Sequence, residues 1–240
     1  PVNRLMGGFV PRLPVFYLSC DRDAYSAPIS QPRLRRLIKR DMQVGNVTFI
    51  TSRKGGDKPE IFHQCGQGLL AERLQSLMAD RGFQATIEGC RDPGLESLAA
   101  CMTGVAPEEV IEMRPNTGMS SRHYRQIGHF QDALREQGIL LVCLDQKEQG
   151  ASEINHQPHD AYIRNLIQQW EHEQLWRQAM SEGSLAGRRA RRGQDVPVAD
   201  PTLCVLNTAF SLGGLKAPQR VFGFALNEDS HSLAGYGWMQ

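Results

Sequence analysis

Between Pro14 and Glu88 the apolar residues switch repeatedly between a strand period and a helix period, and this restricts the fold more than any other feature. Pro14 to Ser19 (PVFYLS) is a short apolar, β-prone run that predicts a buried strand. Gln31 to Asp41 (QPRLRRLIKRD) predicts a helix with Pro32 near its first turn. Leu34, Leu37 and Ile38 would face a core, with Arg33, Arg36 and Arg40 on the opposite side and Arg35 and Lys39 flanking them. Asn46 to Ser52 and Glu60 to Cys65 predict two further strands, and the turn residues Arg53 to Lys58, with Gly55-Gly56 at their centre, predict that they form an antiparallel hairpin. From Gly68 to Asp80, the positions Leu69, Leu70, Leu74, Leu77 and Met78 mark an amphipathic helix stopped at Gly82. Phe83 to Glu88 then alternates as a half-buried strand.

The order β-α-β-β-α-β predicts a ferredoxin-like (RRM-like) unit over 1–92, with Phe16, Leu18, Val47, Phe49, Ile61, Leu74 and Ile87 in one core. Residues 93–240 read as a second, decorated α+β half. It has helices over Pro93–Met102 and Ser120–Gln137, and strands over Val110–Met113 and Ile139–Leu144. A long helix follows from Pro158, and then strands over Thr202–Phe210, Arg220–Leu226 and Leu233–Met239. The fold class predicted is therefore α+β.

Apolar residues at 40% and charged residues at 22% describe a globular chain, and no run of about 18 uncharged apolar residues suggests a membrane span. The first residues lack the long apolar run of a signal peptide. Cys20, Cys65, Cys90, Cys101, Cys143 and Cys204 are scattered without a CxxC pair, so they read as reduced thiols of a cytoplasmic protein rather than as zinc ligands. The net charge of +1 hides a segregation. Residues 1–54 hold ten Lys/Arg against three Asp/Glu, residues 55–187 eleven against nineteen, and residues 188–240 six against four. Two basic segments flank an acidic middle, as expected when both converge on one polyanion.

The densest basic feature is Arg188, Arg189, Arg191 and Arg192, four arginines in five residues at the end of a helical finger spanning 158–192. Arginines this close repel one another unless an anion neutralises them, and the planar guanidinium suits phosphate. A second cluster joins Arg22, Tyr25, Arg33, Arg36 and Arg40. Cutting RNA without a metal needs an aligned 2′-OH, stabilised phosphoryl charge and a proton for the leaving oxygen. Arginine performs the second task, and Tyr25 is placed to share the proton work. In 230–240, glycines flank aromatics (LAGYGW), so Gly235, Tyr236 and Gly237 read as a loop that approaches phosphate or stacks on a base. No GxxxxGK[ST], GxGxxG or GxSxG motif is present. His156, His159 and Asp160 have a faint metal-ligand spacing, but Pro158 interrupts any helix that would align them, so neither metal nor cofactor is expected.

Taken together, these residues resemble the RAMP superfamily of CRISPR-associated RNA-binding proteins, whose members pair ferredoxin-like domains and carry a glycine-rich loop near the C-terminus. The arginine-rich insertion looks most like the crRNA-processing endoribonuclease of type IV systems. The resemblance implies metal-independent cleavage of precursor crRNA at the repeat hairpin, leaving a 2′,3′-cyclic phosphate, with the product kept bound inside a CRISPR ribonucleoprotein and no membrane partner. Arg22, Tyr25 and Arg36 would be catalytic. Arg33, Arg35, Lys39, Arg40, Arg53, Lys54, the four fingertip arginines and Gly235 to Gly237 would bind RNA. Many members use a histidine near the first helix, and here none precedes His63. A non-catalytic backbone subunit is therefore the alternative. A third reading, a Rossmann-like ligand sensor over Val47–Glu88, requires a parallel sheet where Gly55-Gly56 predicts an antiparallel pair.

Overall fold

The computed structural model describes residues 12–21, 34–39, 42–52, 57–63, 69–89, 92–104, 106–116, 118–147, 201–225 and 232–239. Among the described residues there are eight strands: β1 (Val15–Asp21), β2 (Asn46–Thr51), β3 (Glu60–Phe62), β4 (Thr86–Glu88), β5 (Glu109–Arg114), β6 (Ile139–Lys147), β7 (Gln219–Ala225) and β8 (Ser232–Trp238). The described helices are α1 (Leu69–Asp80), α2 (Pro93–Thr103), α3 (Ser121–Gln131), which runs into a 3₁₀ helix over Asp132–Gln137, and α4 (Pro201–Leu212). The chain is thus α+β, built on one mixed sheet of order β4-β3-β5-β2-β6-β1-β8-β7.

Its centre is parallel. β2 pairs in parallel with both β5 and β6, and β6 with β1. The margins are mixed: β3 runs antiparallel to β5, β8 antiparallel to β1, and β7 antiparallel to β8. The composition of β6 (ILLVCL) explains its place, because a strand covered on both faces reads as a continuous apolar run rather than an alternation, and β2 is likewise buried from Val47 to Thr51 although it includes Thr48 and Thr51. Leu140, Val142 and Leu144 of β6 point to one layer, with Phe16, Leu18, Val47, Phe49, α2 and the turn at Leu34, Leu37 and Ile38. Ile139, Leu141 and Cys143 point to the other, with Val15, Tyr17, Ile50, α1, α3 and α4.

The predicted hairpin of 46–52 with 60–65 does not form. β5, more than forty residues beyond β3, inserts between them, while β3 keeps only Ile61 fully buried and lies toward the margin. With it falls the ferredoxin-like arrangement of neighbours expected for 1–92. The anticipated single core is split as well: Phe16, Leu18, Val47 and Phe49 lie beneath one face, whereas Ile61, Leu74 and Ile87 belong to the other. Strands from 1–92 and from 93–240 share the sheet, with β5 and β6 on either side of β2.

A second correction concerns 202–210, expected as a strand and found inside α4. Every residue from Cys204 to Phe210 is buried, so the segment shows no period by which a helix is recognised. Pro201 opens the helix, and the chain turns away at Gly214 with a positive φ of 73°. α3 and α4 pack closely at Gly128, where a Cβ would stand 2.4 Å from the Thr208 carbonyl oxygen. Hydroxyl bonds cross the same contact, with Ser211 Oγ donating to the Arg125 carbonyl at 2.6 Å.

Candidate functional site

In an open sheet with parallel strands, ligands bind beyond the carboxyl ends of the strands, where successive connections depart to opposite faces. Here the turn after β1 packs on the layer holding α2, and α4, the described helix after β6, packs on the other layer. The reversal therefore falls between neighbours β1 and β6. The carboxyl ends of β5, β2, β6 and β1 lie side by side along this edge, spanning roughly 14 Å at the usual strand spacing.

Polar groups are buried at this end of the sheet on both faces. On the α4 side, the Tyr17 hydroxyl donates to Asp145 Oδ2 at 2.8 Å. Both side chains are buried, and the Tyr236 ring lies tilted against Tyr17 at 6.3 Å between centroids. The register fixes this group, since Ser19 of β1 lies beside Asp145, and Tyr17 is paired with Tyr236. A carboxylate withdrawn from water is kept only where donors meet it, and Tyr17 supplies one.

On the α2 side, Glu112 is fully buried within β5 and accepts a hydrogen bond from Thr51 Oγ1 at 2.7 Å. Arg114, the last residue of β5, donates from Nε at 2.9 Å and Nη2 at 3.3 Å to the two Glu112 oxygens. The Arg114 guanidinium also stands 3.9 Å above the centre of the Phe62 ring. Thus β2, β3 and β5 combine to hold one fork in a fixed orientation. Beyond it, Asn116 Nδ2 donates to the Asp57 carbonyl at 3.1 Å, closing the corner.

The expected site residues are distributed unevenly about this edge. β1 ends at Asp21, immediately before Arg22, and β2 ends at Thr51, two residues before Arg53 and Lys54. Arg22, Tyr25, Arg33, Arg40, Arg53, Lys54, Arg188, Arg189, Arg191 and Arg192 themselves lie outside the described residues, as do His156, His159 and Asp160. Arg35, Arg36 and Lys39 are exposed on the turn after β1, whose Leu34, Leu37 and Ile38 are buried as anticipated. Gly235, Tyr236 and Gly237 are not in a terminal loop. β8 carries them through the sheet between β1 and β7, and the buried Tyr236 ring serves the core rather than a nucleobase. A Cβ at Gly237 would press on Val221 and Phe16 at 3.1 and 3.3 Å, which gives that glycine a packing reason.

Sequence reasoning missed Tyr17, Asp145, Thr51, Glu112 and Arg114. The available signal was a carboxylate set inside or at the end of an apolar strand, EVIEMR for Glu112 and ILLVCLD for Asp145. Among the described residues no three His, Cys, Asp or Glu side chains are grouped to hold a metal ion, and no helix is long and apolar enough to cross a membrane.

No family model and no curated protein matches the chain. Among solved structures it is similar to an uncharacterized protein, JW3007, from Escherichia coli K12, at a TM-score of 0.61 and 13% identity. The alignment covers 94% of this chain and 99% of that one, and at this identity the likeness is one of fold.

Proposed function

We propose that the protein binds a small anionic molecule at the carboxyl edge of its parallel strands, beside the β1/β6 reversal. The observation that carries this reading is the placement of cationic positions along one edge. Arg22 follows β1 directly, Arg53 and Lys54 follow β2, Arg114 ends β5 and Lys147 ends β6. Four neighbouring parallel strands end on the side of the sheet where this architecture takes ligands, and in the sequence each of them ends at or shortly before a cationic residue. β2 is parallel to both of its neighbours, but these come from beyond Val47–Glu88, and within that region β3 runs opposite to β2.

An RNA-processing role, with Arg22, Tyr25 and Arg36 at a scissile phosphate, is the second reading. The exposure of Arg35, Arg36 and Lys39 on the turn after β1 favours it, since a polyanion could extend from the edge onto that turn. The ferredoxin-like platform of the RAMP resemblance does not accompany it.

One experiment separates the two. The purified protein is titrated with a nucleoside monophosphate and with pyrophosphate, and is incubated with hairpin RNAs in EDTA. The small-molecule reading predicts binding of the small phosphates that weakens when Arg22, Arg53 and Lys54 are replaced by Ala, with the RNA left intact. Cleavage giving 2′,3′-cyclic ends would transfer the conclusion to the second reading. Absence of any anion binding would reject both.

A further inference from the structure

The Thr51–Glu112–Arg114–Phe62 arrangement does more than a fold requires. A buried glutamate within β5 is a liability unless neutralised, and Arg114 answers it. Yet the guanidinium uses only its Nε and Nη2 side for this, and its outer face is set by Phe62 rather than left to rotate. Nη1 makes no hydrogen bond among the described residues, and the Arg114 side chain keeps 19% of its surface exposed. The planar fork is therefore oriented in advance, with donors still unused, at the terminus of a parallel strand. Thr51, which helps hold Glu112, stands two residues before Arg53 in the sequence.

We propose that Arg114 is the anchoring residue of the carboxyl-edge site, presenting the free edge of its guanidinium to a phosphate or carboxylate oxygen of the ligand. The proposal rests on the carboxyl-edge reading and gives that site its ligand chemistry, an oxyanion. Pre-organisation is the source of the affinity, because a fork already fixed by Glu112 and Phe62 loses little side-chain freedom on binding. Glu60, the register partner of Arg114 on β3, places a second carboxylate in this neighbourhood. It opposes an incoming anion, so binding is selective for ligands that engage the fork by hydrogen bonds and is sensitive to salt.

The test uses the full chain and four probes at matched ionic strength: sodium phosphate, pyrophosphate, malonate and chloride, followed by calorimetric titration and thermal shift. Wild type is expected to bind at least one oxyanion and not chloride, with phosphate against malonate distinguishing the two oxygen sources. The paired variant Glu112→Gln/Arg114→Gln removes both charges together, so no buried carboxylate is left bare. It should bind the oxyanion at least about tenfold more weakly, the worth of one charge-assisted hydrogen bond. Arg114→Lys retains the charge without the fork and should also lose several-fold, which decides the matter if the paired variant does not fold. Glu60→Gln should bind more tightly. Wild-type affinity in both Arg114 variants would overturn the proposal. If Arg53→Ala/Lys54→Ala alone abolishes binding, the edge reading stands without Arg114; if wild type binds no oxyanion, both fall.

Discussion

Replacing Arg135 by Met should destabilise the protein by about 2–4 kcal/mol, and the structure supplies the reasons. Arg135 sits in the 3₁₀ helix that follows α3 and is 1% exposed. Its Nε donates to the Leu13 carbonyl at 2.6 Å and its Nη1 to the Leu212 carbonyl at 2.9 Å. One side chain thus joins the approach to β1, the end of α4 and the link from α3 to β6. Methionine preserves the unbranched stem but leaves two carbonyls without that donor, at about 1–3 kcal/mol each. Two effects moderate the loss. Burial already opposes the charge, holding the Arg135 pKa below its ordinary value, with Arg12 adding repulsion. Asp132 also retains its ion pair with Arg12 when Arg135 is gone. For a chain of this length the loss corresponds to a fall in Tm of roughly 4–16 °C. Urea unfolding followed by circular dichroism measures the change, with Arg122→Ala on the exposed side of α3 as a control expected within about 0.5 kcal/mol. A loss below about 1 kcal/mol, or an Arg135→Lys variant as stable as wild type, would refute the claim that the fork bridges the two carbonyls.

Gly128→Ala should cost about 1–3 kcal/mol or more by forcing α3 and α4 apart, whereas Gly89→Ala, with open space around it, should cost far less. Equal Tm values for the two variants would remove the close approach from the account. Burial pushes the Cys143 thiol up, and burial followed by the Cys204 contact pushes the Tyr124 hydroxyl up. Both folded pKa values are raised, so the stability is present below the unfolded pKa and is lost as pH rises. The decline should begin near pH 8.5 for Cys143 and steepen above about 10 for Tyr124, approaching about 1.4 kcal/mol per pH unit per group. Thermal melts from pH 7 to 10.5 check this, and Cys143→Ala should flatten the first part of the fall; an unchanged slope would show that Cys143 does not contribute.

Much of the secondary structure was legible because its signals are local. The short apolar runs PVFYLS and ILLVCL read as buried strands and are found as β1 and β6, and Asp92-Pro93 opens α2 with a capping side chain that accepts from the Gly94 amide at 2.9 Å. Strand neighbours were not legible. Gly55-Gly56 lies outside the described residues, and no local feature around it announces that β5 will enter between the strands on either side. α4 escaped for the opposite reason, since a helix buried all round loses its period. The polar contacts of the edge depend on this topology: Thr51 meets Glu112 across 61 residues and Tyr17 meets Asp145 across 128. Once β5 and β6 are placed beside β2 and β1, both pairs follow from the register. The basic residues at the ends of β1 and β2 were visible from the start, and what the sequence could not supply was that both strands point the same way.

The claim that the carboxyl ends of the parallel strands take an anion is tested most directly by amide chemical-shift mapping during a pyrophosphate titration. Each central strand serves as its own control, because its two ends lie at opposite edges of one sheet. The account predicts shifts at Ser19 to Asp21, Ser52, Arg114, Asn116 and Asp145 to Lys147, with Val15, Asn46, Glu109 and Ile139 unmoved. Shifts confined to the second group or to α1 and α3, or none at saturating ligand, would contradict it.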